Sequence, residues 1–301
     1  MFKKSTWLHL RIPFSFFLLP IFLFGVAISP NISESSLLGL FIILHFCIYP
    51  ASNAFNSYFD KDQQSIGGLK HPPPVNKSVF YIAQIFDALG LVLAYFLFPN
   101  NPALWFMLLV YILVSRAYSH PLVRLKKYAW LSWGIAGFFQ GAWVVGITYI
   151  GLNNFPLESI TKPHVAIPGL LATALLLGSY PMTQIYQHEE DASRGDKTLS
   201  LTLGKTGTFY FTALFFTLSS LAFFLYFQYY HDVFYGYVFL GSMLPIAIYF
   251  FYWFMLSRKH PEKINYGYTM SLNWISATCL NAFFLYFFLH SSQVLNVVGV
   301  Y

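Results

Sequence analysis

A chain of 301 residues that is 57% hydrophobic and only 9% charged is not an ordinary soluble protein, whose apolar and charged shares lie near about 45–50% and 25%. Its formal net charge of +6 comes from basic residues divided among many short connections, so a nucleic-acid partner is not implied. Cys47 and Cys279 both fall inside apolar runs and far apart, and they imply no disulfide framework.

Taken in chain order, nine apolar runs stand out, at roughly 12–29, 37–57, 79–98, 102–119, 129–151, 168–187, 208–229, 235–256 and 268–290, each near the ~20 residues a helix needs to cross a bilayer. Short polar connections separate them, so residues 1–301 read as one all-α, polytopic membrane domain of nine transmembrane helices. The opening "MFKKSTWLHLRIPFSFFLLPIFLFGVAIS" has the basic start and apolar centre of a secretory signal. Its apolar run is long for that role and Pro30 follows the best cleavage point, so it reads as a retained first span. Of the 17 Lys and Arg residues, only Lys162 falls outside the N-terminus, the connections after spans two, four, six and eight, and the span ends beside them. The positive-inside rule then predicts a cytoplasmic N-terminus and a C-terminus outside, which an odd span count requires. The expected location is a bacterial inner (plasma) membrane.

Two stretches can be laid over each other without a gap: "YPASNAFNSYFD", residues 49–60, and "YPMTQIYQHEED", residues 180–191. On an ideal helix Asn53, Asn56 and Asp60 share an arc of about 60°, and so do Gln184, Gln187 and Asp191. Spans two and six are thus each expected to carry two amides and a carboxylate on one stripe, turned away from lipid. Pro50 and Pro181 are expected to bend their helices and free a carbonyl one turn back. Span four ends "SRAYSHP" and span eight "SRKHP", so spans one to four and five to eight read as parallel four-helix repeats, with span nine added.

The acids need compensation. Asp60, Asp62, Glu189, Glu190, Asp191 and Asp196 are six of 11 acidic residues, and the two clusters are placed near helix C-termini, where the backbone already carries negative partial charge. Oxygen ligands beside cations suited to phosphate suggest Mg²⁺, which keeps waters and completes its shell with substrate phosphates. Solvated helix ends at a membrane surface are the plain alternative. "IGGLKHPPPV" offers glycines that let backbone approach a phosphate. "YSHPLVRLKK" sets Arg124, Lys126 and Lys127 after Tyr118, either to hold a diphosphate or to anchor the helix in headgroups. His71, His120, His188 and His260 lie near the inner connections, but three precede proline and read as turn punctuation.

These residues resemble the UbiA superfamily of intramembrane prenyltransferases over the whole chain, a resemblance that implies nine helices with aspartate-rich motifs at the cytoplasmic ends of helices two and six. In the first motif, Asn-x3-Asp-x3-Asp, Asn56 and Asp60 match and Gln64 takes the third place, leaving Asp62 to substitute. In the second, Asp-x3-Asp, Asp191 matches the last place and Gln187 takes the first, with Glu189 and Glu190 nearby and Gly195, Lys197 and Thr198 following. "YSHPLVRLKK" is similar to the family's Tyr-Ser and basic segment after helix four. The resemblance implies Mg²⁺ held by Asp60, Asp62, Glu190 and Asp191, with Asp60 and Asp191 the catalytic pair. It implies a polyprenyl diphosphate donor met by Asn53, Asn56, Lys70, Tyr118, Arg124, Lys126, Lys127, Gln184, Gln187 and Lys197, and an aromatic or other lipophilic acceptor within membrane lipid. Each departure replaces a carboxylate with an amide, which keeps an oxygen ligand and loses its charge.

Three other readings stay open. Internal repeats and proline-broken helices are transporter traits, though transporter charges lie near the midplane. CDP-alcohol phosphotransferases carry an Asp-Gly-x2-Ala-Arg pattern that this sequence lacks. A family member that binds prenyl diphosphate without turnover would accommodate the two glutamines.

Overall fold

Residues 3–292 are described in the computed structural model; the expected outward C-terminus at Tyr301 lies outside the described residues. Among the described residues, eight helices are long and apolar enough to cross a bilayer: Glu34–Asp60, Lys77–Leu97, Pro102–Ser119, Ala129–Asn153, Pro163–Gln184, Leu199–Tyr230, Val233–Lys259 and Tyr266–Ser291. They are spans two to nine of the sequence. Span one is a pair, Lys4–Phe17 and Leu19–Ala27, bent by 47° rather than the single run expected from residue 12. Arg11 takes a left-handed backbone (φ 47°) inside the first piece, and Pro20 at the start of the second cannot donate to the turn before it.

Helix starts follow local chemistry. Asn76, Asn101, Thr198, Asp232 and Asn265 each accept a backbone N–H at the start of a span, and Ser33 forms a reciprocal capping box with Ser36. In span two the missing N–H of Pro50 is absorbed without a break. A π turn, Ile43–Ile48, precedes it, and Tyr49 N–H reaches back to Leu44 O. Span three shows how the bilayer-facing surface is built: Tyr81, Ile85, Leu89, Val92 and Phe96 are exposed along one stripe, while Val79, Ile82, Ala83, Gly90 and Ala94 are buried on the other.

Successive spans pack against one another in a ring, which span nine closes against span one, with span one also resting on span five. Phenylalanines fill the closure: Phe24, Phe223, Phe227, Phe239, Phe284 and Phe287 are all fully buried, and Phe24 stacks on Phe284 with centroids 4.7 Å apart. Arg116 lies in the last turn of span four. It pairs with Asp87 of span three and sits 4.0 Å from the centroid of Phe55 in span two, so one charge pair ties three helices where a lone charge would be costly.

Candidate functional site

At the ends of spans two and six the two similar stretches stop resembling each other. Span two is helical through Asp60, and Lys61 caps it in the left-handed region (φ 52°). Asp62 is thereby freed from the position about 200° away from Asp60 that a continuing helix would impose. Span six stops earlier, at Gln184, in a turn where Gln187 N–H donates to Gln184 O at 2.9 Å. A separate short helix, His188–Ser193, then carries Glu189, Glu190 and Asp191 in its first turn. This corrects the expected continuous stripe and the expected C-terminal placement. A helix N-terminus favours these carboxylates, so the second cluster does not work against the backbone dipole. Gly195 (φ 73°) turns the chain after that helix and sends Asp196 back inward, with Asp196 N–H on Asp191 O at 3.0 Å.

The two clusters meet around a polar cavity of about 180 Å³, whose lining includes Arg11, Asp60, Asp62, Lys126, Asp191 and Arg194. Lys126, buried on a single 3₁₀ turn, pairs with Asp60 and stands 3.8 Å from Asp196. Arg124 grips Asp196 through two bonds of 2.8 Å and lies 3.7 Å from Asp60. Arg194 pairs with Asp62, donates to Asp191 at 2.7 Å, and lies 3.9 Å from Glu190 and 3.4 Å from Asp196. Arg11, at the bend of span one, donates to Gly67 O at 3.0 Å and Asn53 O at 3.1 Å. Burial raises the Asp191 carboxyl to about 6, against the pull of Arg194. In the ligand-free protein it therefore takes up a proton as pH falls through that value, and its ion pair is lost. Burial disfavours charge on Arg194, but Asp62, Asp60 and Asp191 outweigh it and raise its pKa.

Other expected residues divide clearly. Asn56, Tyr118, Gln184 and Gln187 line the polar cavity. Asn56 donates to Ser119 Oγ at 2.9 Å and Gln187 to Ser65 O at 3.2 Å, while the Tyr118 and Tyr180 hydroxyls bond each other. Asn53 lines the two neighbouring chambers instead. Lys70, Lys127 and Lys197 are exposed and outside the cavity lining; Lys127 lies 5.0 Å from the Tyr128 ring centroid. Gln64 is exposed too, whereas Asp62 faces the cavity. The glycines of "IGGLKHPPPV" make room for a ring: a Cβ on Gly67 would meet Phe14 at 2.7 Å. Sequence reasoning had not singled out Arg11 or Arg194 for this site, and had named Asp196 only as one of the acids. The available signal for Arg194 was its place three residues after Asp191, on the same helix face.

The polar cavity continues into the membrane. It shares Phe14, Tyr180 and Thr183 with an apolar chamber of about 230 Å³ lined by Phe17, Leu18, Leu175, Phe216, Phe250 and Leu280. It shares Arg11, Asn56, Tyr118 and Tyr180 with a third chamber of about 150 Å³ that reaches Ser115, Phe139 and Gln140. The donors suit a hard cation such as Mg²⁺. The carboxylates of Asp60 and Asp191 line the cavity, and Gln184 Oε1 is buried there without a hydrogen-bond partner among the described residues. No group of three His, Cys, Asp or Glu side chains among the described residues is placed to hold an ion by itself. With so few protein ligands, such an ion would keep several waters, the usual habit of Mg²⁺.

Solved structures similar to this chain have the same architecture. A UbiA homolog from Archaeoglobus fulgidus bound to DMAPP and Mg²⁺ aligns with TM-score 0.63 at 17% identity, covering 95% of this chain and 99% of that one. The apo structure of a UbiA homolog from Aeropyrum pernix K1 aligns with TM-score 0.64 at 15% identity, covering 91% and 98%. A structure from work on digeranylgeranylglyceryl phosphate synthase in membranes aligns with TM-score 0.58 at 19% identity, covering 96% and 98%. At these identities the likeness is one of fold. A comparison with curated proteins found no match. Residues 18–276 fit the sequence model of the UbiA prenyltransferase family, whose match spans most of the helical ring and both acid clusters. This integral membrane chain belongs to the UbiA prenyltransferase family.

Proposed function

We propose that this chain, acting as one membrane domain, transfers an isoprenyl group from a polyprenyl diphosphate to a lipophilic or aromatic acceptor inside the bilayer. The observation that carries this reading is the junction at Phe14, Tyr180 and Thr183, where a cavity walled by Arg, Lys and carboxylates opens on an apolar chamber. A diphosphate headgroup needs the first environment and a prenyl tail the second. Family membership and the similar Archaeoglobus structure bound to DMAPP and Mg²⁺ support it.

In this mechanism Lys126, Arg194 and Arg11 receive the diphosphate oxygens, with Arg124 holding Asp196 in place behind them. The bond from the allylic carbon to oxygen breaks, and the negative charge growing on the leaving diphosphate falls on cations already fixed by their carboxylates. The allylic carbon, now cationic, lies at the chamber mouth, where the aromatic faces of Phe14 and Tyr180 favour positive charge. Asp60 and Asp191 would hold Mg²⁺, which would supply further neutralisation of charge on the leaving group. The acceptor attacks from within the membrane, the third chamber offering a pocket beside Tyr118, and the proton displaced from its attacking atom passes to the departing diphosphate.

The test is a purified chain in liposomes with labelled farnesyl diphosphate, Mg²⁺ and a membrane lipid extract as acceptor source. Label should pass into a phosphate-free lipid, with one diphosphate released per product. Retained donor without release would favour the binding-only reading, and passage of a labelled solute across the vesicle would favour a transporter.

The proposal also has the site face the cytoplasm, because all but one of the 17 Lys and Arg residues lie at the N-terminus, in the connections on one side, or at the span ends beside them. Reporter insertions beside Lys77 and Lys205 should read cytoplasmic. A periplasmic signal at either would reverse the orientation.

A further inference from the structure

Arg194 makes contacts that a metal ion would otherwise be expected to make. Its guanidinium pairs with Asp62 from the loop after span two, and with Glu190 and Asp191 from the short helix after span six. Asp196 stands 3.4 Å from its Nε. Among the described residues it is the one side chain that forms ion pairs with Asp62, Glu190 and Asp191 together. Asp60, the remaining carboxylate of the cavity wall, is served by Lys126 and Arg124. The neighbouring chemistry is weakened in the same sense: Gln187 lines the cavity where an anionic ligand would strengthen a divalent site, and Gln64 is exposed. Within the acid clusters and the cavity wall, Gln184 Oε1 and Glu190 Oε2 are buried without hydrogen-bond partners among the described residues. Gln184 Oε1, on a side chain more than nine-tenths buried, belongs to the cavity wall.

A guanidinium supplies one permanent charge in a rigid planar fork, and can bind carboxylates and phosphate oxygens at once. A divalent ion in the same place would supply twice the charge but needs several unengaged oxygen ligands. We propose that Arg194 is a resident cation standing in place of one divalent ion between the two acid clusters, so that a single divalent ion accompanies a bound diphosphate. Only the diphosphate part of this proposal rests on the prenyl-diphosphate reading. The bridging of the clusters does not.

Arg194→Gln should convert the site to one that takes two divalent ions. Purified protein titrated with Mn²⁺ and inorganic diphosphate, with bound metal counted after desalting, should hold one Mn²⁺ per chain in the wild type and two in Arg194→Gln. Metal alone gives an independent arm. The melting temperature of the wild type should change little between EDTA and Mn²⁺, whereas Arg194→Gln should melt several degrees lower in EDTA and regain most of that on adding Mn²⁺. Arg194→Lys keeps the charge without the fork and should stay close to the wild type in EDTA. Two Mn²⁺ in the wild type would overturn the proposal even if the variants fail to fold, as would equal metal counts in wild type and Arg194→Gln. A wild type that ignores diphosphate while Arg194→Gln still gains metal-dependent stability would sink the prenyl-diphosphate reading and leave the role of Arg194 standing.

Discussion

Asp60→Ala and Asp191→Ala are each expected to lower prenyl transfer by about 100-fold or more, the scale on which loss of one preorganised electrostatic group acts in a water-excluded site. The two residues occupy equivalent places in the doubled stretch, and both carboxylates line the cavity beneath its cations. Their removal has a second effect. The side chains of Asp60 and Asp191 are 5% and 7% exposed, so truncation leaves Lys126 with Asp196 alone, or Arg194 with Asp62, Glu190 and Asp196, at a stability cost below the ~3–5 kcal/mol of a buried charge left wholly unpaired. The isosteric Asp60→Asn and Asp191→Asn separate these effects, since they keep volume and hydrogen bonding and remove charge. Initial rates over a Mg²⁺ series, read beside the melting temperature in detergent, would distinguish lost chemistry from lost folding. Full activity in either Asn variant would remove that residue from the site.

Much of this was legible in the sequence because it depends on periodicity and hydropathy. Spans long enough to cross a bilayer need only hydropathy and the bilayer's thickness to be inferred, and the repeat that pairs Asp60 with Asp191 is visible in the residues themselves. The break after Gln184 was not legible. A helix that stops three residues after Pro181 and one that continues ten residues past Pro50 have similar local patterns, and both prolines lie within continuous helix, so neither marks the break. That break decides where Glu190, Asp191 and Arg194 point, so the contact from Arg194 to Asp62 could not be read from spacing. Basic residues at a membrane surface also look alike in sequence. Lys126 is buried against Asp60, while its neighbour Lys127 is exposed, because a single 3₁₀ turn, Leu125–Lys127, directs the two side chains apart. Arg116, at the end of span four, was counted with the surface cations for the same reason. Its partner Asp87 is in another span, and long-range pairing leaves no periodic trace.

Asp62→Asn should reduce transfer nearly as much as Asp60→Asn, and Glu190→Gln nearly as much as Asp191→Asn, each by about 10- to 100-fold, the range found when groups supporting a metal site are changed. Asp62 lies on the cavity wall and engages Arg194, while Gln64, at the family motif's third position, is exposed. Gln64→Asp should therefore add little, because a new carboxylate there points to solvent. Glu190 accepts the Gln63 N–H at 2.7 Å through one oxygen and leaves the other buried. It thus fastens the loop that carries Asp62 to the helix that carries Asp191, and losing its charge disturbs both clusters. Gln187→Asp is the more searching change. It sits in the cavity, but it exchanges the bond to Ser65 O for a carboxylate facing that carbonyl, so the gain in charge is offset by repulsion and little net change is expected. Steady-state rates and Mg²⁺ half-saturation for the four variants would decide the matter. Suppose Asp62→Asn and Glu190→Gln are silent while Gln64→Asp and Gln187→Asp raise both Mg²⁺ affinity and rate. The native clusters would then be a weakened metal site, and binding of prenyl diphosphate without turnover would replace transfer as the function.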